Sequence, residues 1–196
     1  MTIFQALRAD AKHYNYSNGK RWYTHAGFWV GAAYRFGHMV GNLKFPPLRI
    51  ILLTGHYIIN FPLRFLLHVD LGRRSKIGHG LCMHHPQNII IPSESALGND
   101  VTIYQEVTLG RGPVPGLPKI GNSVILYSGA KVLGGITVGD DCEIGANVVL
   151  TKNVPSHSVV SVAPARAIPK DTIERIQSGR QTAQSDESPA GSRSRT

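Results

Sequence analysis

The sequence predicts a mainly β protein, built as a parallel β-helix with an α-helical segment in front of it. From Ile77 to Leu150 an aliphatic residue returns every six positions, usually followed by glycine. A second row of small or aliphatic residues lies two positions before the first. A short fixed period is typical of solenoids, in which each coil buries its apolar side chains only by stacking on its neighbours.

The first row is clearest where glycine follows it: Ile77-Gly78, Leu97-Gly98, Leu109-Gly110, Ile120-Gly121, Val138-Gly139 and Ile144-Gly145. The same register continues without glycine at Ile103, Leu126, Val132 and Leu150. The second row consists of Val101, Val107, Val124, Ala130, Ile136, Cys142 and Val148. The period slips by two positions between Ile89 and Leu97 and by five between Leu109 and Ile120, where Arg111 to Pro118 should form a loop that leaves the solenoid.

Residues 1–68 are predicted to form a helical segment, residues 69–170 the β-helix, and residues 171–196 a short helix with a disordered tail. Residues 2–43 have helical spacing, and Pro46-Pro47 interrupts it. This stretch contains Gly27-x3-Gly31 and Gly37-x3-Gly41, a spacing at which small residues let neighbouring backbones approach closely. We expect these glycines to be packing positions in a cap that covers one end of the β-helix.

Residues 48–69 are rich in Ile, Leu and Phe, and about 20 such residues would cross a bilayer. Polar and charged residues interrupt the run at helical spacing, among them Arg49, His56, Asn60 and Arg64. This pattern favours a helix packed within the protein, then a peripheral membrane contact, and lastly a membrane span.

The net charge of +9 is concentrated in the first segment. Residues 1–68 carry eight Lys and Arg against one acid, Asp10, whereas residues 69–176 carry ten against nine. Such an excess fits a solvated face or contact with an anionic membrane surface. Nucleic acid is not an expected partner, because no recognised binding motif accompanies the charge.

Cys82 and Cys142 form neither a disulfide framework nor a CxxC pair. No cluster of Cys, His and Asp has the spacing of metal ligands, so no metal is expected. The first ten residues lack the pattern of a secretory signal, which makes the cytoplasm, or the inner face of its membrane, the expected location.

Four stretches carry a family resemblance: Ser75-Lys-Ile-Gly-His-Gly-Leu-Cys-Met-His-His85, Asn99-Asp-Val-Thr-Ile-Tyr-Gln-Glu-Val-Thr-Leu-Gly110, Gly129-Ala-Lys-Val-Leu-Gly-Gly-Ile136 and Pro164-Ala-Arg166. Together with the six-residue repeat, they resemble the hexapeptide-repeat acyltransferase superfamily, and within it the serine acetyltransferase group. The resemblance implies a left-handed parallel β-helix, a homotrimer, and acetyl-CoA bound in a groove between adjacent β-helices.

Acetyl transfer to an alcohol needs a base for the hydroxyl and hydrogen-bond donors for the tetrahedral oxyanion. Histidine suits the first role near neutral pH, and a carboxylate on its second ring nitrogen fixes the tautomer. By the resemblance, the base is His85 and its partner is Asp70, fifteen positions upstream. Without the resemblance, the same residues would be interpreted as an exposed polar corner and a turn residue.

The resemblance also implies contacts to acetyl-CoA from small residues at the corners of the coils and from two cations: Gly110, Gly112, Ser128, Gly129, Ala146, Lys152 and Arg166. Glycine and alanine are common at such corners for the turn alone. For the acceptor we expect contacts from His84, Tyr104, Gln105 and Arg111.

Three departures from the serine acetyltransferase pattern bear on the acceptor, one of which is a helical N-terminal segment that is shorter than is usual in that family. That family has aspartate before the catalytic histidine, where this chain has His84. It also has an Arg-His pair before Pro118-Lys119-Ile120, where this chain has Gly116-Leu117. A site without that acid and that arginine is poorly suited to the charged ends of serine. The pattern is similar to proteins of exopolysaccharide and capsule pathways that O-acetylate sugars.

The sequence therefore predicts an acetyl-CoA-dependent O-acetyltransferase for a hydroxyl of a sugar or polysaccharide precursor, with a peripheral membrane contact through residues 1–68. One alternative is a serine O-acetyltransferase of cysteine biosynthesis. Another is a non-catalytic trimeric scaffold, which the presence of both Asp70 and His85 argues against. Transfer to an amine instead of a hydroxyl also stays open.

Overall fold

The computed structural model describes residues 2–18 and 21–163, so the expectations for Arg166 and for residues 171–196 lie outside the described residues. Three helices come first: α1 (Ile3–Asn18), α2 (Ala26–Gly41) and α3 (Pro46–Leu67), with a 3₁₀ turn at Trp22–Thr24. Pro46 and Pro47 form the first turn of α3, where a helix needs no backbone N–H donors. The predicted helical segment is confirmed.

Short strands follow, and all of their pairings are parallel. They are β1 (Asp70–Leu71), β2 (Lys76–Ile77), β3 (Cys82–Met83), β4 (Ile90–Ile91), β5 (Ala96–Leu97), β6 (Thr102–Ile103), β7 (Thr108–Gly110), β8 (Lys119–Ile120), β9 (Ile125–Leu126), β10 (Lys131–Leu133), β11 (Thr137–Val138), β12 (Glu143–Ile144), β13 (Val149–Leu150) and β14 (Val159–Val160).

The strands build three sheets, which we name after their first members. The β1 sheet has the order β1-β4-β7-β10-β13, the β2 sheet β2-β5-β8-β11, and the β3 sheet β3-β6-β9-β12-β14. From β1 to β13 each sheet takes every third strand, so three successive strands make one coil. Ile77 lies beside Leu97, and Leu97 lies beside Ile120. The predicted parallel β-helix is confirmed.

The hydrophobic core lies inside the coils. The second residue of most strands is buried, as Leu97, Ile103 and Leu109 illustrate. The row two positions before it is buried as well: Val101, Val107, Val124, Ala130, Ile136, Cys142 and Val148. Both rows of the six-residue repeat therefore line one continuous core.

The repeat alone places the two-position slip between Ile89 and Leu97, and this placement is wrong. β4 begins eight positions after β3, whereas β7, β10 and β13 each begin six positions after the preceding strand. Ile91, rather than Ile89, continues the first row, because it lies in register with Leu71. The two extra residues therefore belong to the corner between β3 and β4. The second slip is where it was predicted, between β7 and β8.

The helices α1 and α2 cover the first coil on the side of β3. Tyr14 is fully buried; its hydroxyl donates to the carbonyl oxygen of Met83 at 3.1 Å and accepts the Met83 N–H at 2.7 Å. A Cβ on Gly27 would overlap the same carbonyl oxygen. Glycine therefore lets α2 approach the strand closely, and the predicted packing role of Gly27 is confirmed.

A buried ion pair joins both helices to the coil. Arg35 of α2 donates to the two carboxylate oxygens of Asp10 in α1, at 2.5 and 2.8 Å. The same guanidinium donates to the carbonyl oxygen of Gly78, and Asp10 accepts the backbone N–H of Leu81. Both charged side chains are less than a tenth exposed. The pair thus stabilises the contact between α1, α2 and the first coil.

The helix α3 packs against the rest of the chain by one edge only. None of its described side chains is buried. Its exposed large apolar side chains are Leu48, Ile50, Ile51, Tyr57, Ile58, Ile59, Phe61, Phe65 and Leu66. The predicted packing is therefore present only on the side of α3 that faces α2 and the first coil, where Leu67 packs against the core of the β-helix. Among the described residues, no helix is long and apolar enough to span a membrane.

Candidate active site

The corner between β3 and β4 carries His84 and His85. His85 is exposed, and its backbone is left-handed with a φ of 51°. Asn88 in the same corner is also left-handed, with a φ of 53°. A left-handed residue two positions before a strand recurs through the coils, as at Asp100 and Glu106, so Asn88 continues the regular turn. His85 is an additional left-handed residue, and it lies in the corner that holds the two extra residues. The corner therefore presents His85 on the outside of the β-helix.

Asp70 lies at the same corner of the neighbouring coil. It begins β1 and is in register with Ile90, which comes five positions after His85. Its carboxylate is 59% exposed and accepts a hydrogen bond from Nη2 of Arg64 at 2.8 Å. The described residues include no hydrogen bond between Asp70 and His85, so their catalytic pairing stays a prediction.

His84 heads a stack of three rings on successive coils. Its ring centroid lies 4.9 Å from that of Tyr104, which lies 5.4 Å from that of Tyr127. The three residues directly follow β3, β6 and β9, so they occupy equivalent positions of the repeat. Tyr127 donates to Oε2 of Glu143 at 3.1 Å, and this bond raises its pKa. Sequence reasoning included His84 and Tyr104 but missed Tyr127, although the register of Tyr104 identifies it.

Burial lowers the pKa of His84, and the charge of His85 lowers it further. The His84 ring is therefore neutral near pH 7, and its Nε2 lies 3.6 Å from the sulfur of Cys82. Burial raises the pKa of the Cys82 thiol to about 12, so this cysteine is not a thiolate nucleophile. His85 is exposed, whereas the His84 ring is partly buried and stacked on Tyr104, so His85 is the more accessible of the two histidines to a substrate.

Gln105 contributes a buried acceptor to the same side. Its Oε1 atom has no hydrogen-bond partner among the described residues. An unpaired buried acceptor costs about 1–3 kcal/mol, and a ligand hydroxyl could remove this cost by donating to it. The described residues contain no group of three or more His, Cys, Asp and Glu that could hold a metal ion.

The residues expected to contact acetyl-CoA lie at two corners, one at each end of the β1 sheet's strands. One corner, before β10 and β13, holds Ser128, Gly129 and Ala146; the other, at or after the ends of β7 and β13, holds Gly110, Gly112 and Lys152. Strands of two or three residues separate the corners by roughly 10 Å. The structure therefore does not bring all six together in one cluster.

Lys131 lies between these two corners. It points outward from β10, and its ammonium donates to the backbone carbonyl of Glu106. Sequence reasoning missed this lysine, although its place directly before buried Val132 marks it as outward-facing. Gly129 has a φ of 74°, and a Cβ there would overlap the Asn147 side chain, so the turn itself already requires glycine.

The loop that contains Arg111 is exposed but lies against the next coil. Gly135 donates its backbone N–H to the carbonyl oxygen of Val114 at 2.9 Å. A Cβ on Gly112 would come within 2.7 Å of the Leu133 backbone. The expectation of a loop that leaves the solenoid is therefore only partly right, because the loop lies along the turn before β11. Arg111 remains exposed at its start.

Comparison with known proteins identifies the family. Residues 118–152 match the family described as bacterial transferase hexapeptide (six repeats). A solved serine acetyltransferase in complex with CoA is 30% identical, covers 85% of this chain and 69% of its own, and has a TM-score of 0.68. This chain belongs to the hexapeptide-repeat acyltransferase superfamily. The superfamily membership that the sequence motifs predict is thereby confirmed.

Two curated relatives, both described as serine acetyltransferase, illustrate how much of the chain is matched. The protein of Helicobacter pylori strain J99 is 43% identical over 111 residues, which is 55% of this chain and 65% of the relative. The protein of Escherichia coli K12 is 35% identical over 152 residues, which is 76% of this chain and 53% of the relative. The chain thus spans less than two thirds of the length of either relative.

Proposed function

We propose that this chain is an acetyl-CoA-dependent O-acetyltransferase in which His85 is the general base. The observation that carries the proposal is an exposed His85 at the same corner as Asp70, in a member of an acyltransferase superfamily. The matching solved relative is a CoA complex, which supports acetyl-CoA as the donor.

In the proposed mechanism, the His85 imidazole takes the proton of the acceptor hydroxyl while its oxygen attacks the thioester carbonyl. The C–S bond then breaks, and the imidazolium returns the proton to the departing CoA sulfur. To stabilise the imidazolium, the Asp70 carboxylate must release its hydrogen bond from Arg64 and accept one from His85 instead. This exchange is inexpensive, because the Arg64–Asp70 pair is about half exposed and such pairs contribute about 0–1 kcal/mol.

Acetyl-CoA is proposed to lie across the outside of the β1 sheet, so that its long chain reaches both corners described above. The outward side chains of this sheet include Ile90 and Val149, which are 45% and 64% exposed. Exposed apolar side chains on a strand face favour cover by another surface. They support a homotrimer, in which a neighbouring β-helix covers this face and completes the groove.

L-serine is the first candidate acceptor, because the curated relatives named above are serine acetyltransferases. These comparisons favour serine over the sugar acceptor that the sequence predicts. A sugar hydroxyl is the second candidate, favoured by the loop after Arg111, which has no arginine before Pro118 and lies on the next coil. The membrane contact expected with a sugar acceptor would use the exposed apolar side chains of α3.

The test is release of free thiol from acetyl-CoA, followed with a thiol reagent, in the presence of each acceptor class. The panel contains L-serine, free sugars, nucleotide sugars and oligosaccharide repeat units. Rapid release with serine alone would assign the first candidate, and release with sugar compounds alone the second. Absence of acceptor-dependent release, together with failure to bind CoA in calorimetry, would favour the non-catalytic scaffold.

A further inference from the structure

A basic cleft of about 400 Å³ lies beside Asp70, between α2, α3 and the first coil. Arg64, Arg73, Arg74 and His56 line it, and Asp70 is the one carboxylate on its described wall. Because Asp70 pairs with Arg64 and Glu94 pairs with Arg74, the uncompensated charge of Arg73 gives the cleft its net positive charge. Such a cleft attracts anions, and arginine favours those with several oxygen atoms.

Arg73 has no ion-pair partner among the described residues. Arg64 is paired with Asp70, and Arg74 lies 3.5 Å from Glu94 in a pair that is about two-thirds exposed. Arg73 is half-buried, and its guanidinium lies against Gly41 without a carboxylate partner among the described residues, so it has lost part of its hydration without gaining an ion pair. An anion in the cleft would supply the missing partner.

The position of Arg73 is fixed by α2. His38 contacts the backbone carbonyl of Arg73 through Nδ1 at 2.9 Å, and the hydroxyl of Tyr34 donates to the carbonyl of Ser75 at 2.6 Å. A Cβ on Gly41 would overlap Nη1 of Arg73. The absence of a side chain at Gly41 therefore lets the guanidinium lie against the helix, where it needs little reordering to bind a ligand.

His56 occupies the neighbouring place on the same helix face. A Cβ on Gly37 would come within 2.5 Å of its Nε2, so Gly37 accommodates this ring as Gly41 accommodates Arg73. Burial lowers the pKa of His56, and the charges of Arg64 and Arg73 lower it further. The ring is thus neutral near pH 7 and adds no charge of its own to the cleft. The Gly37-x3-Gly41 motif therefore shapes one wall of this cleft.

We propose that the cleft binds a phosphate group carried by the acetyl acceptor. This proposal rests on the proposed acetyltransferase function, with a sugar as the acceptor. Forked guanidinium donors match phosphate oxygens. A phosphate at Arg64 also competes with Asp70 for the same Nη2 donor, and so releases Asp70 to orient His85. The acceptor is then a phosphorylated sugar, either free or carried on a lipid phosphate. Its charged end is recognised by this cleft rather than by the loop after Arg111.

Calorimetric titration of the full chain with inorganic pyrophosphate tests the anion site without requiring turnover. Arg73→Gln should weaken binding roughly 10- to 100-fold, as expected for loss of a charge-assisted hydrogen bond. The matched control is Arg8→Gln, which removes an exposed arginine of α1 and should change the affinity less than twofold. Absence of binding by the unaltered chain, or equal weakening in both variants, would overturn the proposal.

Gly41→Ala gives a second variant that keeps every charge and displaces only the Arg73 guanidinium. This variant should also weaken pyrophosphate binding, and unchanged affinity would contradict the assigned place of Arg73.

Titration with pyrophosphate in saturating CoA distinguishes a site for the phosphates of the donor from a site for the acceptor. Pyrophosphate binding that persists in CoA supports the acceptor site, and binding that CoA abolishes overturns it. Cosedimentation with phosphatidylglycerol vesicles, lost in Arg73→Gln, would indicate a lipid phosphate, and binding of pyrophosphate alone a free one. Acetylation of serine without pyrophosphate binding would overturn this inference and leave the acetyltransferase function standing.

Discussion

Replacing Asp10 with alanine should lower the free energy of unfolding by about 4 kcal/mol. The change removes the acceptor of two hydrogen bonds from Arg35 and of one from the Leu81 N–H. Arg35, only 8% exposed, keeps the carbonyl oxygen of Gly78 as its partner. Breaking a buried pair costs about 3–5 kcal/mol, and the orphaned N–H contributes within that range because the two effects are not additive.

Denaturant unfolding followed by tryptophan fluorescence measures this loss where it should occur. The two tryptophans of the chain, Trp22 and Trp29, both lie in the helical cap, so they report directly on its detachment. Circular dichroism at the same protein concentration follows the whole fold, including any oligomer. The control is Glu94→Ala, which breaks an exposed pair and should cost less than about 1 kcal/mol. A loss for Asp10→Ala no larger than that of the control would refute the reasoning.

Three further predictions concern stability. Gly27→Ala should lower the free energy of unfolding by about 1–3 kcal/mol, because its Cβ would overlap the Met83 backbone. Gly55→Ala should raise it by about 0.5–1 kcal/mol, because Gly55 lies in α3 with open space around it. Leu126→Ala, at a fully buried core position, should cost about 2–5 kcal/mol. Burial lowers the pKa of His56 and His84, so the unfolded state binds more protons and stability should fall as pH drops below 6.5.

Denaturant midpoints at constant protein concentration check all three. Equal effects of the two glycine substitutions would contradict the close approach of α2 to β3. A cost below about 1 kcal/mol at Leu126 would argue against a continuous core inside the coils. Stability that rises on acidification through pH 6.5 would have the wrong sign, since a lowered histidine pKa in the folded state favours folding at the higher pH.

The β-helix could be predicted because its periodicity is local. Val101 and Ile103, like their equivalents in later coils, repeat within a few positions, and every coil places them on the same inward face. The two-position slip could not be placed from the same signal. Ile89 and Ile91 are both aliphatic and two positions apart, so each fits one of the two rows, and only pairing with β1 distinguishes them.

Contacts between different helices and strands could not be predicted from the periodicity of the sequence. Asp10 and Arg35 lie on different helices, and Gly41 at the end of α2 contacts Arg73 in the turn between β1 and β2. Periodicity identifies the apolar face of one element but not which residue of another element packs on it. For the same reason the motif match identified Asp70 and His85 as candidates, yet it did not indicate that Arg64 holds the carboxylate.

The central claim is that His85 is the base of an acetyl transfer, and thiol release by His85→Ala tests it most directly. With the acceptor that gives the fastest release, the variant should lose roughly 10²- to 10⁴-fold in kcat while still binding CoA. The matched control is His157→Ala, because His157 is also exposed and its Nδ1 lies 2.9 Å from the carboxylate of Asp141, the kind of partner proposed for His85. His157→Ala should retain the activity of the unaltered chain. Full activity in His85→Ala, or equal losses in both variants, would contradict the claim.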